Sequence, residues 1–151
     1  MSPWPISRAL RMRRGGEVRS SSSVWNTLTT DQLEQALSLT GIASVQNRFA
    51  LLDRASDPVL KLCETHGLAC LPRRRPTAAL TGYAAEALAG IAERHGATRG
   101  QIALAWLPHR SPVLCPRPGT GPPVHPAEDL GAAEIRLSAE DMSRLEALTS
   151  V

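Results

Sequence analysis

The stretch Gly41–Arg54, GIASVQNRFALLDR, decides the fold. Small and apolar residues lead into a polar group that begins with Gln46, and a segment typical of a helix start follows. This pattern predicts a buried strand, Ile42–Val45, that ends in amides where a helix begins. In α/β folds the carboxyl ends of parallel strands open into the crevice that binds substrate and cofactor. The stretch therefore predicts a parallel sheet with a ligand site at its edge.

Further strands and helices alternate along the chain. The expected elements are a helix over DQLEQALSL capped by Thr29 or Thr30, a helix Ala55–His66 closed by Gly67, a strand Leu68–Leu71, a helix Ala84–His95, a helix from Thr98 to Trp106 or Leu107, a strand Val113–Cys115, and a helix from Ser138 to Leu148. Pro108 is expected to end or kink its helix. Short apolar strands that alternate with helices predict βα units on a parallel sheet.

Chain length and composition limit the size of this fold. The chain has 151 residues, whereas a complete (β/α)8 barrel takes about 250, so we expect about four βα units. Hydrophobic residues make up 42% of the sequence, which excludes a chain that is disordered throughout. Aromatic residues make up only 3%, so the core must consist mostly of Ala, Leu, Ile and Val.

The charge distribution argues against a nucleic-acid-binding body. Four of the 17 basic residues, Arg8, Arg11, Arg13 and Arg14, lie in the first fifteen positions, and the other 13 are balanced by 14 acidic residues.

The three cysteines, with no secretory pattern, indicate reduced thiols in a cytoplasmic protein. No apolar run approaches the length of a membrane span.

Five stretches, in this order, carry a family resemblance: LEQALSLTGIASVQNRFALLDR, HGLACLP, HGATRGQIALAWLPHRSP, VLCPRPGT and AAEIRLSAEDMSRLEAL. Together they resemble the second half of the aldo/keto reductases, which are NADP-dependent (β/α)8 barrels. The resemblance implies an α/β fold that is a partial TIM barrel, roughly the last four βα units plus the closing helices. We expect this half barrel over residues 16–151, after a basic, poorly ordered tail over residues 1–15.

The resemblance also implies part of a nicotinamide site. Gln46 lies where the family has the amide that holds the nicotinamide carboxamide, and an amide side chain offers both a donor and an acceptor. Asn26 stands for the amide of the family's Ser-Asn pair after the preceding strand, although the spacing to Gln32 differs from the family's. Taken alone, Gln46 could equally be a core amide that is satisfied within the protein.

The family binds the adenosine phosphate end of NADP after its last strand. Gly119 and Thr120 lie there in a loop before a helix, a setting that suits an anion. By resemblance, His125 faces the 2′-phosphate, and Glu128 and Asp129 lie near adenine. Asp129 departs from the family's Asn, because a carboxylate only accepts hydrogen bonds. The alternative is that both acids simply favour the first turn of a helix.

The chain lacks a convincing proton donor. In the family, a Tyr acid tuned by Lys, Asp and His comes from the first four βα units. The single tyrosine and single lysine here, Tyr83 and Lys61, are expected at a helix start and on an exposed helix face, so we assign no catalytic residue.

The arginines of Arg73–Arg75 fit a solvated loop. Cys63, His66 and Cys70 have metal-ligating side chains, but buried cysteines are commoner, and no metal site is assigned.

These features lead to one main function and two alternatives. The main hypothesis is a truncated aldo/keto reductase-like protein that keeps part of an NADP(H) site, with weak or absent binding by this fragment, and lacks the tetrad. The alternatives are a non-enzymatic decayed fragment and an interaction module that uses the basic tail. Because a half barrel leaves an open sheet edge and an uncovered face, we expect self-association or a complementary half barrel, with no nucleic acid and no membrane as partner.

Overall fold

The structure, a computed structural model, describes residues 23–73, 82–116 and 129–148. Its elements are the strands β1 (Ser23–Asn26), β2 (Ile42–Asn47) and β3 (Ala69–Pro72), the helices α1 (Thr30–Leu39), α2 (Asp57–His66), α3 (Gly82–Arg94), α4 (Arg99–Arg110) and α5 (Ala139–Ala147), and a 3-10 turn at Ala132–Glu134. Residues 129–131 are helical. The predicted α/β class is confirmed. The tail predicted over residues 1–15 lies outside the described residues.

The strands form one parallel sheet in the order β1-β2-β3. The segment expected to be a strand, Val113–Cys115, is a single parallel bridge between Leu114 and Cys70, so that prediction was wrong in extent. The N–H and C=O groups of Cys70 each form a 2.8 Å hydrogen bond to this segment. Pro112 and Pro116 flank the segment, and because proline has no N–H it cannot extend the ladder.

The two faces of the sheet differ in burial. On one face Val45, Cys70 and Leu114 are buried in the core with the apolar sides of the helices. The opposite face is half-buried or exposed, and its residues are Val24, Asn26, Ser44, Gln46, Ala69 and Leu71. Because side chains alternate along a strand, this second face is the one on which Gln46 lies.

Local signals in the sequence correctly place the helix ends. Thr29, Thr98 and Ser138 each cap a helix through a complete capping box, in which the cap side chain and the third helical residue bond to each other's backbone. Gly67 ends α2 with φ 65°, a left-handed conformation that glycine adopts without steric cost. These predictions are confirmed because each cap depends only on residues close in sequence.

Two predictions around the helices were wrong in detail. The segment after β2 does not start a helix, because Ala50 and Asp53 exchange two 3.0 Å backbone hydrogen bonds in a tight turn and α2 begins only at Asp57. The turn presents Phe49 to the core, where its ring stacks on Trp106 with centroids 5.8 Å apart. The burial of Phe49 depends on its tertiary contact with Trp106. The local sequence signals that mark helix ends contain no information about such a contact.

Pro108 does not end α4, which continues to Arg110. Proline lacks the N–H that would bond to the carbonyl of Leu104. Because Pro108 lies in the last turn, only one intrahelical hydrogen bond is lost. Leu107 is buried, and its carbonyl accepts from the N–H of Ser111 at 3.1 Å, which closes the helix.

Candidate functional site at the carboxyl edge of the sheet

Two amide side chains lie next to each other where β1 and β2 end. Asn26 and Gln46 are partners in the parallel register, so their side chains point to the same face of the sheet. Asn26 is exposed and Gln46 is half-buried. Among the residues that the structure describes, neither amide side chain has a hydrogen-bond partner. The edge therefore offers adjacent donors and acceptors to a ligand.

The turn after β1 has an unusual backbone. Thr27 has φ 54° and is the only non-glycine residue with positive φ in the described part of the chain. A β-branched residue in this left-handed region is a steric outlier, and such outliers cluster at functional sites. The N–H of Thr27 donates to the carbonyl of Gln46 at 2.8 Å, so the strained residue is attached directly to the end of β2.

The residue after Gln46 has the opposite environment. Asn47 is 3% exposed, on the core side of the sheet. Its Oδ1 accepts from the N–H of Leu28 at 2.9 Å, and its Nδ2 donates to the carbonyl of Leu28 at 2.8 Å. Nδ2 also lies 3.4 Å from the hydroxyl of Ser56, just before α2. The two neighbouring amides therefore differ: Asn47 is fully engaged within the protein, and Gln46 is available.

The third strand flanks this edge. Leu71 is the register partner of Gln46 on the side away from Asn26. Beyond the strand, the N–H of Arg73 donates to the carbonyl of Asn47 at 2.8 Å, and the residue itself is exposed. The rest of the arginine triplet lies outside the described residues. The site thus combines two amides with an apolar neighbour.

The other residues assigned by resemblance are mostly outside the described ranges. Residues 117–128 lie outside the described ranges, and they include Gly119, Thr120, His125 and Glu128. Asp129 is half-buried and belongs to the helical residues 129–131. Of the predicted cofactor residues, the structure therefore brings together Asn26 and Gln46, and their role as ligands stays a prediction.

The single tyrosine and the single lysine of the chain both lie on helices. Tyr83 is 73% exposed in the first turn of α3, and Lys61 is exposed in the middle of α2. Both are where the sequence places them. Neither residue belongs to a strand of the described sheet, and we assign neither a catalytic role.

Comparison with known proteins places the chain in a family. The sequence matches the aldo/keto reductase family over residues 12–150. The chain is an aldo/keto reductase family member. It is similar to an uncharacterised oxidoreductase of Schizosaccharomyces pombe, with 31% identity over 93% of this chain and 45% of that protein. It is also similar to pyridoxine 4-dehydrogenase of Escherichia coli, with 32% identity over 82% of this chain and 43% of that protein.

Solved structures agree on the fold. The thermostable aldo-keto reductase Tm1743, crystallised with the inhibitor epalrestat, superposes with a TM-score of 0.74 and 32% identity over 82% of this chain and 46% of that one. An aldo/keto reductase from Klebsiella pneumoniae in complex with NADP and acetate gives a TM-score of 0.64 and 25% identity over the same shares. These neighbours are TIM barrels. The chain spans less than half the length of the curated relatives it matches.

Sequence reasoning about this family member missed the contributions of Thr27 and Asn47. A usable signal was present in the consecutive amides of the Gln46–Asn47 pair. Because alternate strand residues face opposite sides, one amide of such a pair must point into the core and needs internal partners. The positive φ of Thr27 had no signal, since it follows from tertiary contacts.

The cysteines form a buried pair. Cys63 on α2 and Cys70 on β3 are both in the core, and all three cysteines are free thiols. The hydrogen bond with Cys63 and burial raise the pKa of the Cys70 thiol above its ordinary value, which keeps it protonated. Within residues 23–73, 82–116 and 129–148, no group of three His, Cys, Asp or Glu side chains could hold a metal ion.

Proposed function

We propose that this chain is the second half of an NADP(H)-dependent (β/α)8 barrel that exchanges a hydride between the cofactor and a carbonyl or alcohol. The observation that carries the proposal is the pair of adjacent amides at the carboxyl edge of the sheet, without partners among the described residues. Family membership and the solved relative crystallised with NADP support the choice of cofactor.

The two amides suit the carboxamide of nicotinamide. That group has one acceptor oxygen and an NH₂ with two donors, and Gln46 and Asn26 each present one acceptor and one NH₂. Paired hydrogen bonds would fix the rotation of the ring and select which of its faces meets the substrate, since geometry is a large part of catalysis. When bound, the cofactor supplies or accepts the hydride.

The adenosine end would lie on the segment after Leu114. Gly119 and Thr120 would hold phosphate through backbone N–H groups. His125 would face the 2′-phosphate, with Glu128 and Asp129 beside adenine. Asp129 can only accept hydrogen bonds there, so we expect weaker adenine recognition than an amide would give.

Reduction of a carbonyl also needs a proton, and the resemblance implies that the family's acid comes from the first half of the barrel. A phenol or another acid must lie within about 3 Å of the carbonyl oxygen to donate it. Tyr83 and Lys61 are exposed on helices, and no strand carries either residue. We therefore propose that the acid and its tuning residues come from a complementary half barrel, and that this chain alone is inactive. The reduced cysteines suit a cytoplasmic location.

A titration with NADPH tests the cofactor site directly. The purified chain is titrated while the fluorescence of the reduced nicotinamide is followed, and the Gln46→Ala variant is compared. We expect saturable binding that the substitution weakens about tenfold, because one amide–carboxamide pair is lost. The matched control is Gln35→Ala, which removes an exposed amide on α1.

Two results would count against the cofactor site. Equal weakening by both substitutions would show that Gln46 does not contact nicotinamide. No binding by a folded chain would favour the non-enzymatic alternative, in which the family resemblance records ancestry only. Circular dichroism of each variant establishes that the protein is folded before the titration is interpreted.

A further inference from the structure

We propose that Asn47 is a positioning residue: its side chain holds the turn after β1 against the end of β2 and so keeps Asn26 beside Gln46. That Asn47 holds the turn rests on the described contacts alone. Its consequence for cofactor binding rests on the proposed function. The two parts are tested by different measurements.

The side chain of Asn47 extends the hydrogen bonding between β1 and β2 beyond the end of the backbone pairing. Its amide satisfies both backbone groups of Leu28, accepting from the N–H at 2.9 Å and donating to the carbonyl at 2.8 Å. These two residues are 19 positions apart in sequence. A paired strand residue would bond to Leu28 in the same way, so the amide continues β1–β2 pairing beyond the point where the backbone of β1 turns away.

The turn needs such an attachment because it is strained. Thr27 has a positive φ that a β-branched residue rarely adopts. A strained backbone conformation persists only where several surrounding contacts hold it in place. Here the N–H of Thr27 bonds to the Gln46 carbonyl at 2.8 Å, and the following residue, Leu28, is held on both sides by Asn47.

The burial of Asn47 makes the hydrogen bonds of its side chain difficult to replace. The residue is 3% exposed, so water cannot replace its partners, and a buried amide without partners is costly. The side-chain Nδ2 also lies 3.4 Å from the Ser56 hydroxyl. Separately, the backbone carbonyl of Asn47 accepts from the N–H of Arg73 at 2.8 Å. One side chain thus joins the start of the first helix to the edge where the free amides lie.

Hydrogen exchange tests whether Asn47 holds the turn. In Asn47→Ala we expect the Thr27 amide to exchange at least tenfold faster than in the wild type, while the Leu60 amide in α2 changes no more than global stability requires. Ile91→Val is the matched control, because it deletes a core methyl on α3 and lowers global stability without touching the turn. Unchanged exchange at Thr27, or the same change in the control, would overturn the proposal.

The Asn47→Asp variant keeps the test decisive if Asn47→Ala does not fold. A carboxylate can still accept from the Leu28 N–H, but it cannot donate to the Leu28 carbonyl and repels it. We expect an intermediate effect on Thr27 exchange. Exchange as slow as in the wild type would show that the donated bond does not hold the turn.

A second measurement separates positioning from general stability. We compare the affinities of each variant for NADPH and for adenosine 2′,5′-bisphosphate, which lacks the nicotinamide. A positioning role predicts that Asn47→Ala weakens NADPH about tenfold and leaves the bisphosphate unchanged, whereas Ile91→Val leaves the ratio of the two affinities as it is. Equal loss for both ligands would overturn the positioning role. If the wild type binds no NADPH, the proposed function fails, and hydrogen exchange alone decides whether Asn47 holds the turn.

Discussion

Asp141 is a buried carboxylate at the start of α5, with partners on two helices. Its oxygens lie 2.5 Å from Arg94 Nη2, 3.0 Å from His95 Nε2 and 2.9 Å from the hydroxyl of Ser138. Burial would raise the pKa of the carboxyl, but these bonds together outweigh it and hold the pKa below its usual range. The residue therefore links α3 to α5 most strongly when it is charged.

The sign of the pH dependence follows from this lowered pKa. Because the folded carboxyl ionises more readily than the unfolded one, Asp141 stabilises the protein above the unfolded pKa of about 3.9, and this stability is lost as the pH falls further toward the folded pKa. We expect Asp141→Asn to be about 2 kcal/mol less stable at pH 7, since hydrogen bonds to a charged group are lost. As the pH falls below about 3.9, the difference in stability between the two proteins should narrow progressively.

Urea denaturation at pH 7, 5 and 3 measures this difference. The control is Glu140→Gln, a neighbouring carboxylate that is exposed and pairs only with Arg144. We expect little change in the control, because exposed ion pairs contribute little. A pH dependence of Asp141→Asn that matches the wild type would show that this carboxylate does not couple folding to pH.

At the scale of elements, the informative case is the proline within α4. Helix signals in the sequence place a stop near Pro108, yet Trp106 and Leu107 are buried and the helix runs on to Arg110. Trp106 stacks on Phe49, lies under the Arg54 guanidinium at 4.7 Å, and donates from Nε1 to Glu146 at 3.0 Å. These contacts hold the last turn against the local preference of proline.

We expect Pro108→Ala to raise the free energy of unfolding by about 1 kcal/mol, because it restores an N–H that can bond to the Leu104 carbonyl. Tryptophan fluorescence during urea denaturation measures the change. Pro112→Ala is the control, since Pro112 lies beyond the helix and its replacement should give no gain. A lower free energy of unfolding for Pro108→Ala would show that proline stabilises this end of the helix.

At the scale of the whole molecule, one face of the sheet is half-buried or exposed, and β1 is an edge strand of the sheet in the described part of the chain. Val24 is 58% exposed and Trp25 38% exposed on the edge strand β1. An edge strand with free backbone groups and apolar side chains invites pairing with another chain. We therefore expect the predicted self-association to use β1.

Sedimentation equilibrium tests that location. We expect the average mass of the chain to rise with concentration, and Val24→Lys to shift association to at least tenfold higher concentration, because a charge on an edge strand opposes pairing. The control is Leu39→Lys, an exposed apolar residue at the end of α1. Equal effects of both substitutions would show that association does not use β1, and a concentration-independent monomer would exclude self-association of the isolated chain.

The sequence by itself determined the features that depend on neighbours along the chain. The sequence correctly predicted the capping residues Thr29, Thr98 and Ser138, the closing glycine at position 67 and a strand that begins at Ile42. Caps and short apolar runs involve only a few consecutive residues. Motif order likewise predicted the family.

Only the tertiary structure decided the features that depend on distant partners. It set Asn26 opposite Gln46, a pairing on which the sequence was silent, because strand register is determined by contacts across the sheet. It gave Asn47 its partners 19 residues away, and it kept α4 helical through Pro108. In each case the free energy comes from contacts between groups that are far apart in sequence, and no local preference reports such contacts.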